Sequence, residues 1–339
     1  MRIDPTSGVR RIANKFHNQF IANGVDQHRP TRAVPESFLV PLSPEQKIAV
    51  AQSQEAALAI LDSILGPPTF SAPGFILYKG DCVASMEKLR QSRFQSDLTV
   101  TSPPYNIGKE YETIVAVDDY VNWCAMWMEH IHALTRLNGA FWLNVGYLEV
   151  PQQGQCVPIP YLLWNRSSFY LLQEVVWRYG AGVSSAKRLS PRNEKWLFYV
   201  RNPTDYIFNL DDIRDPNVKY PNQKKNGKFR CNPLGKNTSD VWEFPKVTTG
   251  SNRSSKERTG HPAQFPLPIV ERIIRASSNI GSIVLDPFFG SGSCGIAAAA
   301  LGRVGVGFEL KDEYVRIAID RYKDLENARL AEQAQPRLF

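Results

Sequence analysis

The sequence predicts an α/β fold in which a mainly parallel sheet carries helices on both faces. Strand-like and helix-like segments alternate along residues 75–200 and again along residues 266–326. In the second stretch a glycine-rich turn joins a strand to a helix, which is typical of α/β folds that bind ligands. The chain has 339 residues, of which 43% are apolar, enough for one large domain with insertions or two modest domains.

The first predicted unit is an arginine-rich arm, residues 1–42, interrupted by Pro30 and Pro35. Apolar residues at positions 12, 16, 20 and 21 favour a short helix over residues 10–22. The sequence leaves three alternatives open for this arm. It could dock on the body, contact the phosphates of a nucleic acid, or remain a solvated tail.

A helix is predicted to follow the arm because its start signals are complete. Ser43 can cap it, Pro44 takes the first helical position, and Gln46 completes a capping box. Gly66, followed by two prolines, ends it. The later elements are predicted as strands over 75–79, 97–101, 139–145, 170–177, 195–200, 282–285 and 304–309, and as helices over 83–90, 118–137, 266–277, 293–301 and 312–326.

Residues 201–260 interrupt this alternation. They contain twelve Lys and Arg against seven Asp and Glu, with little apolar periodicity. The segment is therefore predicted to be an insertion that takes no part in the sheet. A solvated loop and a nucleic-acid-binding region both fit it, and its charge favours nucleic acid. The candidates for phosphate contacts are Lys224, Lys225, Lys228 and Arg230.

Charge and cysteine content narrow the possible classes of protein. The net charge of +7 and the pI of about 9.1 suit a polyanionic partner, although ordinary solubility explains them equally well. Five cysteines without a Cys-x-x-Cys pair, and five histidines without a zinc-binding pattern, predict neither a disulfide framework nor a metal site. No secretory signal and no uninterrupted apolar run of membrane length occurs, which predicts a cytoplasmic protein without a membrane span.

The first candidate site is a strand over 282–285 followed by Asp286, a turn with Phe288, Gly290 and Gly292, a helix, and a strand ending at Glu309. Such glycines allow close approach of a ligand, and the helix N-terminus offers free N–H groups to an anion. An acid at the end of the next strand can accept hydrogen bonds from ribose hydroxyls. The P-loop lysine and the third glycine of the dinucleotide fingerprint are missing. A ligand with a carboxylate and an adenosine, such as S-adenosylmethionine, therefore fits better, and a turn needed only for packing is the structural alternative.

The second candidate site is the run Thr-Ser-Pro-Pro-Tyr at residues 101–105, at the end of a predicted strand. Its prolines, Pro103 and Pro104, fix the backbone and remove two donors, so the carbonyls of Ser102 and Pro103 could face a ligand. The ring of Tyr105 could stack on a base flipped out of a duplex, and the Ser102 hydroxyl could accept a hydrogen bond from an amino group. On spacing alone, a rigid loop with a structural tyrosine explains these residues equally well.

Together, the Ser-Pro-Pro-Tyr and Asp-Pro-Phe-x-Gly-x-Gly motifs resemble those of the DNA amino-methyltransferases. Their order, with a basic insertion between them, is similar to that of the beta-class enzymes of prokaryotic restriction-modification systems. The resemblance covers roughly residues 75–325 and implies a Rossmann-like S-adenosylmethionine-dependent methyltransferase fold with a circularly permuted motif order. It implies a catalytic half at 43–200, a target-recognition insertion at 201–260 and a cofactor-binding half at 261–330. The predicted arm at 1–42 lies outside the resemblance, and residues 331–339 are expected to form a tail.

The resemblance also implies a role for each motif residue. It places Phe288, Gly290 and Gly292 at the methionine end of the cofactor, with Asp286 and Pro266 close by. Glu309 would bind the ribose hydroxyls and Asp81 would approach the adenine. The target base would be held by Ser102, Pro103, Pro104 and Tyr105.

With serine at its first position, the catalytic motif resembles that of the enzymes that act on cytosine N4. Asp or Asn is usual at this position in the enzymes that act on adenine N6, and adenine remains the alternative target. Hydrogen bonds from the amino group to the Ser102 hydroxyl and the Pro103 carbonyl would draw its nitrogen toward tetrahedral geometry for direct attack on the methyl group. The implied partners are double-stranded DNA, a possible second copy of the chain, and a restriction endonuclease without a stable complex. A methyltransferase of RNA or protein and a non-catalytic DNA-binding protein also remain open.

Overall fold

The computed structural model describes residues 34–180, 182, 184–247 and 257–334. The helix expected over residues 10–22 lies outside them. The strands are β1 (Phe70–Ala72), β2 (Phe75–Lys79), β3 (Ser96–Thr101), β4 (Thr135–Val145), β5 (Tyr147–Val150), β6 (Gly154–Pro158), β7 (Tyr170–Arg178), β8 (Asn193–Val200), β9 (Lys224–Lys225), β10 (Lys228–Phe229), β11 (Val241–Glu243), β12 (Ile283–Asp286) and β13 (Val304–Glu309). The α-helices are α1 (Glu36–Leu39), α2 (Pro44–Leu65), α3 (Cys82–Leu89), α4 (Val117–Leu134), α5 (Pro160–Leu163), α6 (Leu267–Ser277), α7 (Ser293–Ala300) and α8 (Asp312–Ala334), and Leu210–Ile213 forms a short 3-10 turn.

Nine strands form the central sheet of the described part of the chain, in the order β1-β2-β13-β12-β3-β4-β8-β7-β11. The five strands from β2 to β4 in this order run parallel, and β11 is parallel to β7. The pairs β1–β2, β4–β8 and β7–β8 are antiparallel. The predicted mixed, mostly parallel sheet is confirmed. Because β13 and β12 lie between β2 and β3, the late cofactor-type motif sits beside the early catalytic motif.

Helices cover both faces of this sheet, as predicted. Side chains alternate along each strand, so Phe75 and Leu77 of β2 pack in one core cluster and Ile76 and Tyr78 in the other. The first cluster is completed by α6, α7 and α8, and the second by α2, α3 and α4. The carboxyl ends of the parallel strands remain between these two layers, where ligands bind in open α/β sheets.

Helix α2 begins and ends where the sequence predicts. The Ser43 hydroxyl accepts a hydrogen bond from the Gln46 N–H (3.2 Å), and the Gln46 side chain accepts one from the Ser43 N–H (2.9 Å). By length and composition α2 is also the one helix in the described ranges apolar enough to cross a membrane. Its polar side chains are nevertheless bonded to the sheet, since Gln54 contacts the carbonyl of Ala72 (3.0 Å) and Asp62 accepts from Tyr78 (3.0 Å).

The structure adds to the sequence analysis at three points. Strand β11 extends the sheet, and Trp242 stacks on Trp142 (5.6 Å between ring centroids), so the expectation that residues 201–260 take no part in the sheet is wrong. A three-residue strand is too short to give a periodic signal. The described end of the predicted arm docks on the body, which was one of the alternatives left open, because Phe38 is fully buried and its carbonyl accepts a hydrogen bond from Arg329 (3.0 Å). Helix α8 runs to Ala334, into the predicted tail.

Candidate functional site

A cavity of about 560 Å³ lies at the carboxyl ends of the parallel strands. Its volume is typical of a site for a drug-sized ligand. The residues that follow β2, β3 and β12, together with the end of β13, contribute to its lining. The sequence-predicted residues that line it are Asp81, Ser102, Pro103, Pro104, Tyr105, Phe288, Gly290 and Glu309. The fold therefore brings the two candidate sites of the sequence into one cavity.

Glu309 is fixed at the end of β13. Its two carboxylate oxygens accept hydrogen bonds from the N–H groups of Gly290 and Lys311 (both 2.8 Å). Burial raises the pKa of this carboxyl, while these bonds favour its ionised form. Each oxygen keeps a second lone pair, which suits the neighbouring hydroxyls of a ribose.

Gly290 allows a ligand to approach the backbone closely, as the motif requires. Its φ of +50° lies in the left-handed region, and a Cβ there would lie 2.8 Å from His261 Nε2. Burial lowers the pKa of His261 to about 4, so its ring is neutral at pH 7. Because His261 Nδ1 accepts from the N–H of Ala263 (3.2 Å), Nε2 carries the proton and can donate it to a ligand beside Gly290.

Three predicted cofactor residues are not among those that line the cavity, and they support it from outside. Asp286 is 1% exposed, and its Oδ1 accepts from the Thr101 hydroxyl (2.6 Å) and the Phe288 N–H (3.1 Å), which joins β3 to β12. Burial raises the pKa of Asp286 to about 7. Gly292 has a φ of +77° just before α7, and Pro266 precedes α6, where Gln264 and Phe265 line the cavity in its place.

Asp81 and an aromatic group flank the rest of the predicted cofactor site. Asp81 caps α3 by accepting from the Ala84 N–H (2.8 Å), which holds its carboxylate at the cavity. The Phe288 ring contacts Trp123 and Trp127 edge-on, at 5.7 and 5.3 Å between centroids. These contacts fix the ring that follows β12 against α4.

A hydroxyl network organises the catalytic motif. The Tyr105 hydroxyl lies 3.0 Å from Ser102 Oγ and donates to Asn144 Oδ1 (2.9 Å). Burial raises the pKa of Tyr105 well above its usual value, so this hydroxyl stays protonated. Once it donates to Asn144 it can accept the Ser102 proton, which leaves lone pairs of Ser102 Oγ for another donor. The Pro104 carbonyl accepts from the Tyr120 hydroxyl (2.9 Å), which fixes the loop.

Sequence reasoning missed several polar residues of this cavity. Asn144 lies near the end of β4, Glu194 near the start of β8, and Lys246 beyond β11. All three line the cavity. Asn144 carried a usable signal, because a polar residue within the apolar run of a buried strand needs a partner. Lys246 carried none.

The four basic candidates of the insertion lie together on strands β9 and β10 and at Arg230 just after them, and we call this group the basic hairpin. All four side chains are exposed. Asn226 and Gly227, with φ of +53° and +77°, form the turn between the strands. Asn-Gly is the strongest short-range signal for such a turn, and the sequence analysis, which predicted only an insertion at residues 201–260, did not use it.

The cavity joins the glycine turn and Glu309 to the Ser-Pro-Pro-Tyr loop, and the strand order brings the late motif beside the early one. This combination is that of a methyltransferase. Residues 96–320 match the DNA methylase family (N6_N4_Mtase). The chain is 56% identical over 267 residues to the Type II methyltransferase M.ScaI of Streptomyces caespitosus, covering 79% of this chain and 87% of that one. It is 30% identical over 269 residues to the DNA adenine methyltransferase YhdJ of Escherichia coli K12, covering 75% and 85%.

Among solved structures, the fold is similar to that of the cytosine-N4-specific PvuII DNA methyltransferase, with a TM-score of 0.59 and 16% identity over 78% of this chain and 94% of that one. The chain belongs to the DNA methylase family, and the predicted resemblance to the beta-class amino-methyltransferases of restriction-modification systems is confirmed.

S-adenosylmethionine is the cofactor of this family, and the cavity fits it. Glu309 offers two acceptors for ribose hydroxyls, and the Nε2–H of His261 faces the close approach at Gly290. In the described ranges, no group of three His, Cys, Asp or Glu side chains is placed to hold a metal ion.

Proposed function

We propose that this chain methylates the exocyclic N4 of a cytosine in a short duplex DNA site and thereby protects host DNA from a restriction endonuclease. Ser102 carries the proposal. Its hydroxyl is oriented by Tyr105 so that it can accept a hydrogen bond at the cavity. With serine at this position, the motif resembles that of the cytosine-N4 enzymes.

The residues of the motif act by holding and polarising the amino group. Its lone pair is delocalised into the base ring, which makes it a poor nucleophile. Hydrogen bonds from the amino group to the Ser102 hydroxyl and the Pro103 carbonyl concentrate electron density on the nitrogen. The Tyr105 ring holds the flipped base. When bound, S-adenosylmethionine would supply the methyl group, whose bond to the sulfonium sulfur breaks as its bond to the amino nitrogen forms, leaving a neutral thioether. The methylated nitrogen would then lose its extra proton to water. Positioning and electrostatics provide the rate enhancement, and no cysteine nucleophile is required.

We assign DNA binding to residues 201–260. The basic hairpin presents four exposed cations, whose neutralisation of phosphates would supply affinity that does not depend on sequence. Readout of the recognition sequence requires side chains that reach base edges in the major groove. In this proposal the hairpin positions the duplex and neighbouring residues of the same segment read it.

Adenine N6 is the second candidate target. It is favoured by the similarity to YhdJ, a relative that is named a DNA adenine methyltransferase. In this alternative the cofactor site and the direct attack are the same, and only the base held by Ser102 differs.

The test is to express the chain in bacteria that lack DNA methylation and to read base modifications by single-molecule sequencing. The proposal predicts one short motif that carries N4-methylcytosine at nearly every occurrence. A motif carrying N6-methyladenine would support the second candidate. DNA with no modified motif, from cells containing the folded protein, would refute a site-specific methyltransferase altogether. A Ser102→Ala variant is the control, and we expect it to lower the modified fraction.

A further inference from the structure

A lysine from the inserted segment reaches the cavity that contains the catalytic motif. Lys246 lies three residues beyond β11, and its Nζ is 2.6 Å from Glu194 Oε1. The same Nζ is 3.9 Å from the ring centroid of Tyr179 and 5.8 Å from that of Trp177. All four residues line the cavity. A cation is therefore held against an aromatic wall of the site, and neither the methyl transfer nor the cofactor site described above uses it.

Glu194 links this lysine to the catalytic motif. Its Oε1 bonds Lys246, while its Oε2 lies 3.5 Å from the hydroxyl of Tyr105. The side chains of Lys246 and Glu194 are 31% and 16% exposed, so the pair is largely withdrawn from solvent. Burial alone lowers the pKa of Lys246, but Glu194 and Tyr179 outweigh it and raise the pKa above its usual value. The ammonium is thus charged and fixed in position.

The lysine has donor capacity beyond these contacts. An ammonium carries three N–H donors and no acceptor. The bond to Glu194 and the contact with Tyr179 account for two of them. The third can serve a ligand in the cavity, and it requires an acceptor.

Cytosine and adenine differ in the acceptors that follow their amino group. In cytosine, N4 is followed along the edge by two acceptors, N3 and O2. In adenine, N6 is followed by the acceptor N1 and then by an apolar C2–H. A donor two ring positions from the amino group therefore gains a hydrogen bond from cytosine and none from adenine. Flipped bases are read in this way, through hydrogen bonds to their Watson–Crick edge.

We infer that Lys246, held by Glu194, is a specificity-determining residue that donates a hydrogen bond to O2 of the flipped cytosine while Ser102 and Pro103 hold its amino group. This inference rests on the proposed cytosine-N4 function. It gives the inserted segment a second task, because the segment that contacts the duplex also completes the pocket for the extruded base. A structural role, in which the ion pair only fastens the chain beyond β11 to β8, is the interpretation to be excluded.

The test pairs a protein variant with a substrate analogue. A duplex carrying the mapped target cytosine is compared with one in which the target is a 2-aminopyridine C-nucleoside. This analogue keeps the amino group and the N3 acceptor, carries C–H where cytosine has the O2 carbonyl, and has carbon at ring position 1 so that it stays neutral. With cytosine, we expect Lys246→Met to lower kcat/KM by about 10- to 100-fold, the usual effect of losing a charge-assisted hydrogen bond. With the analogue, the wild type should lose a similar factor and Lys246→Met should add little. Lys246→Arg should restore part of the activity on cytosine.

The matched control is Lys79→Met, which removes a lysine paired with Asp312 (2.7 Å) that is not among the residues lining the cavity. It should leave both substrates unaffected. Calorimetry with S-adenosylmethionine verifies that the variants are folded. If Lys246→Met does not fold, kcat/KM of the wild type is compared on the two substrates. Equal values on cytosine and on the analogue overturn the inference. A loss of the same factor on both substrates by a folded Lys246→Met also overturns it.

The two levels of the proposal fail in distinguishable ways. N6-methyladenine as the wild-type product refutes both the cytosine-N4 function and the role of Lys246. N4-methylcytosine as the product, together with a penalty for Lys246→Met that does not depend on O2, refutes the role of Lys246 alone.

Discussion

The hydroxyl of Tyr105 offers a sharp test of how the catalytic motif works. Tyr105→Phe removes one oxygen and leaves the ring in place. The substitution breaks the hydrogen bonds to Ser102 Oγ (3.0 Å) and Asn144 Oδ1 (2.9 Å). At about 1 kcal/mol for each hydrogen bond, we expect transition-state stabilisation to fall by about 2 kcal/mol. This corresponds to a fall in kcat of roughly 30-fold.

The assay is steady-state transfer of labelled methyl groups from S-adenosylmethionine to DNA, at saturating and limiting DNA. Because the ring that holds the base is retained, KM for DNA should stay within about twofold of the wild type. The matched control is Tyr78→Phe, which removes a hydroxyl bonded to Asp62 (3.0 Å) by a tyrosine that does not line the cavity. It should reduce stability without changing kcat. A folded Tyr105→Phe variant with wild-type kcat, or one impaired only in KM, would contradict the hydroxyl network.

Three further predictions test other parts of the site. Burial raises the pKa of Asp286 from 3.8 to about 7, so the stability that its neutral form provides is present below pH 3.8 and is lost as the pH rises through 7. Asp286→Asn cannot ionise, so its free energy of unfolding should rise relative to that of the wild type by about 1.4 kcal/mol per pH unit between pH 5 and 7. Denaturant unfolding of both proteins across this range measures the difference. Equal pH dependence in the two proteins would refute this. Glu309→Gln should weaken S-adenosylmethionine binding by about tenfold in calorimetry, because one backbone N–H loses its carboxylate partner, and it should leave DNA affinity unchanged. Replacing all four cations of the basic hairpin by glutamine should reduce the slope of log K against log salt by about 0.9 for each phosphate that is no longer neutralised, and an unchanged slope would remove the hairpin from the DNA interface.

Local signals in the sequence were sufficient for much of the fold. The capping box at Ser43, the continuous apolar run of β2 and the turn around Gly290 each depend on neighbours within a few positions. Resemblance then placed the two motifs in one site, which the topology explains, because β12 lies directly beside β3.

The features that sequence reasoning missed depend on distant partners. Glu194 and Lys246 are separated by 52 positions and become a pair only because β7 brings β8 and β11 together. Nothing within a few residues of Lys246 distinguishes it from the other cations of the insertion. In the same way, Asp286 has the spacing of a cofactor ligand, but the fold turns its carboxylate toward Thr101.

In the proposed function, Ser102 presents a hydroxyl acceptor to the amino group of a flipped cytosine. The most direct test incubates the purified protein with S-adenosylmethionine and unmethylated DNA of varied sequence, digests the DNA to nucleosides and identifies the product by mass spectrometry. We expect N4-methyldeoxycytidine from the wild type and a strongly reduced yield from Ser102→Ala. N6-methyldeoxyadenosine would contradict the assignment of the target base while leaving the cofactor site intact. A Ser102→Ala variant as active as the wild type would contradict the role of the hydroxyl itself.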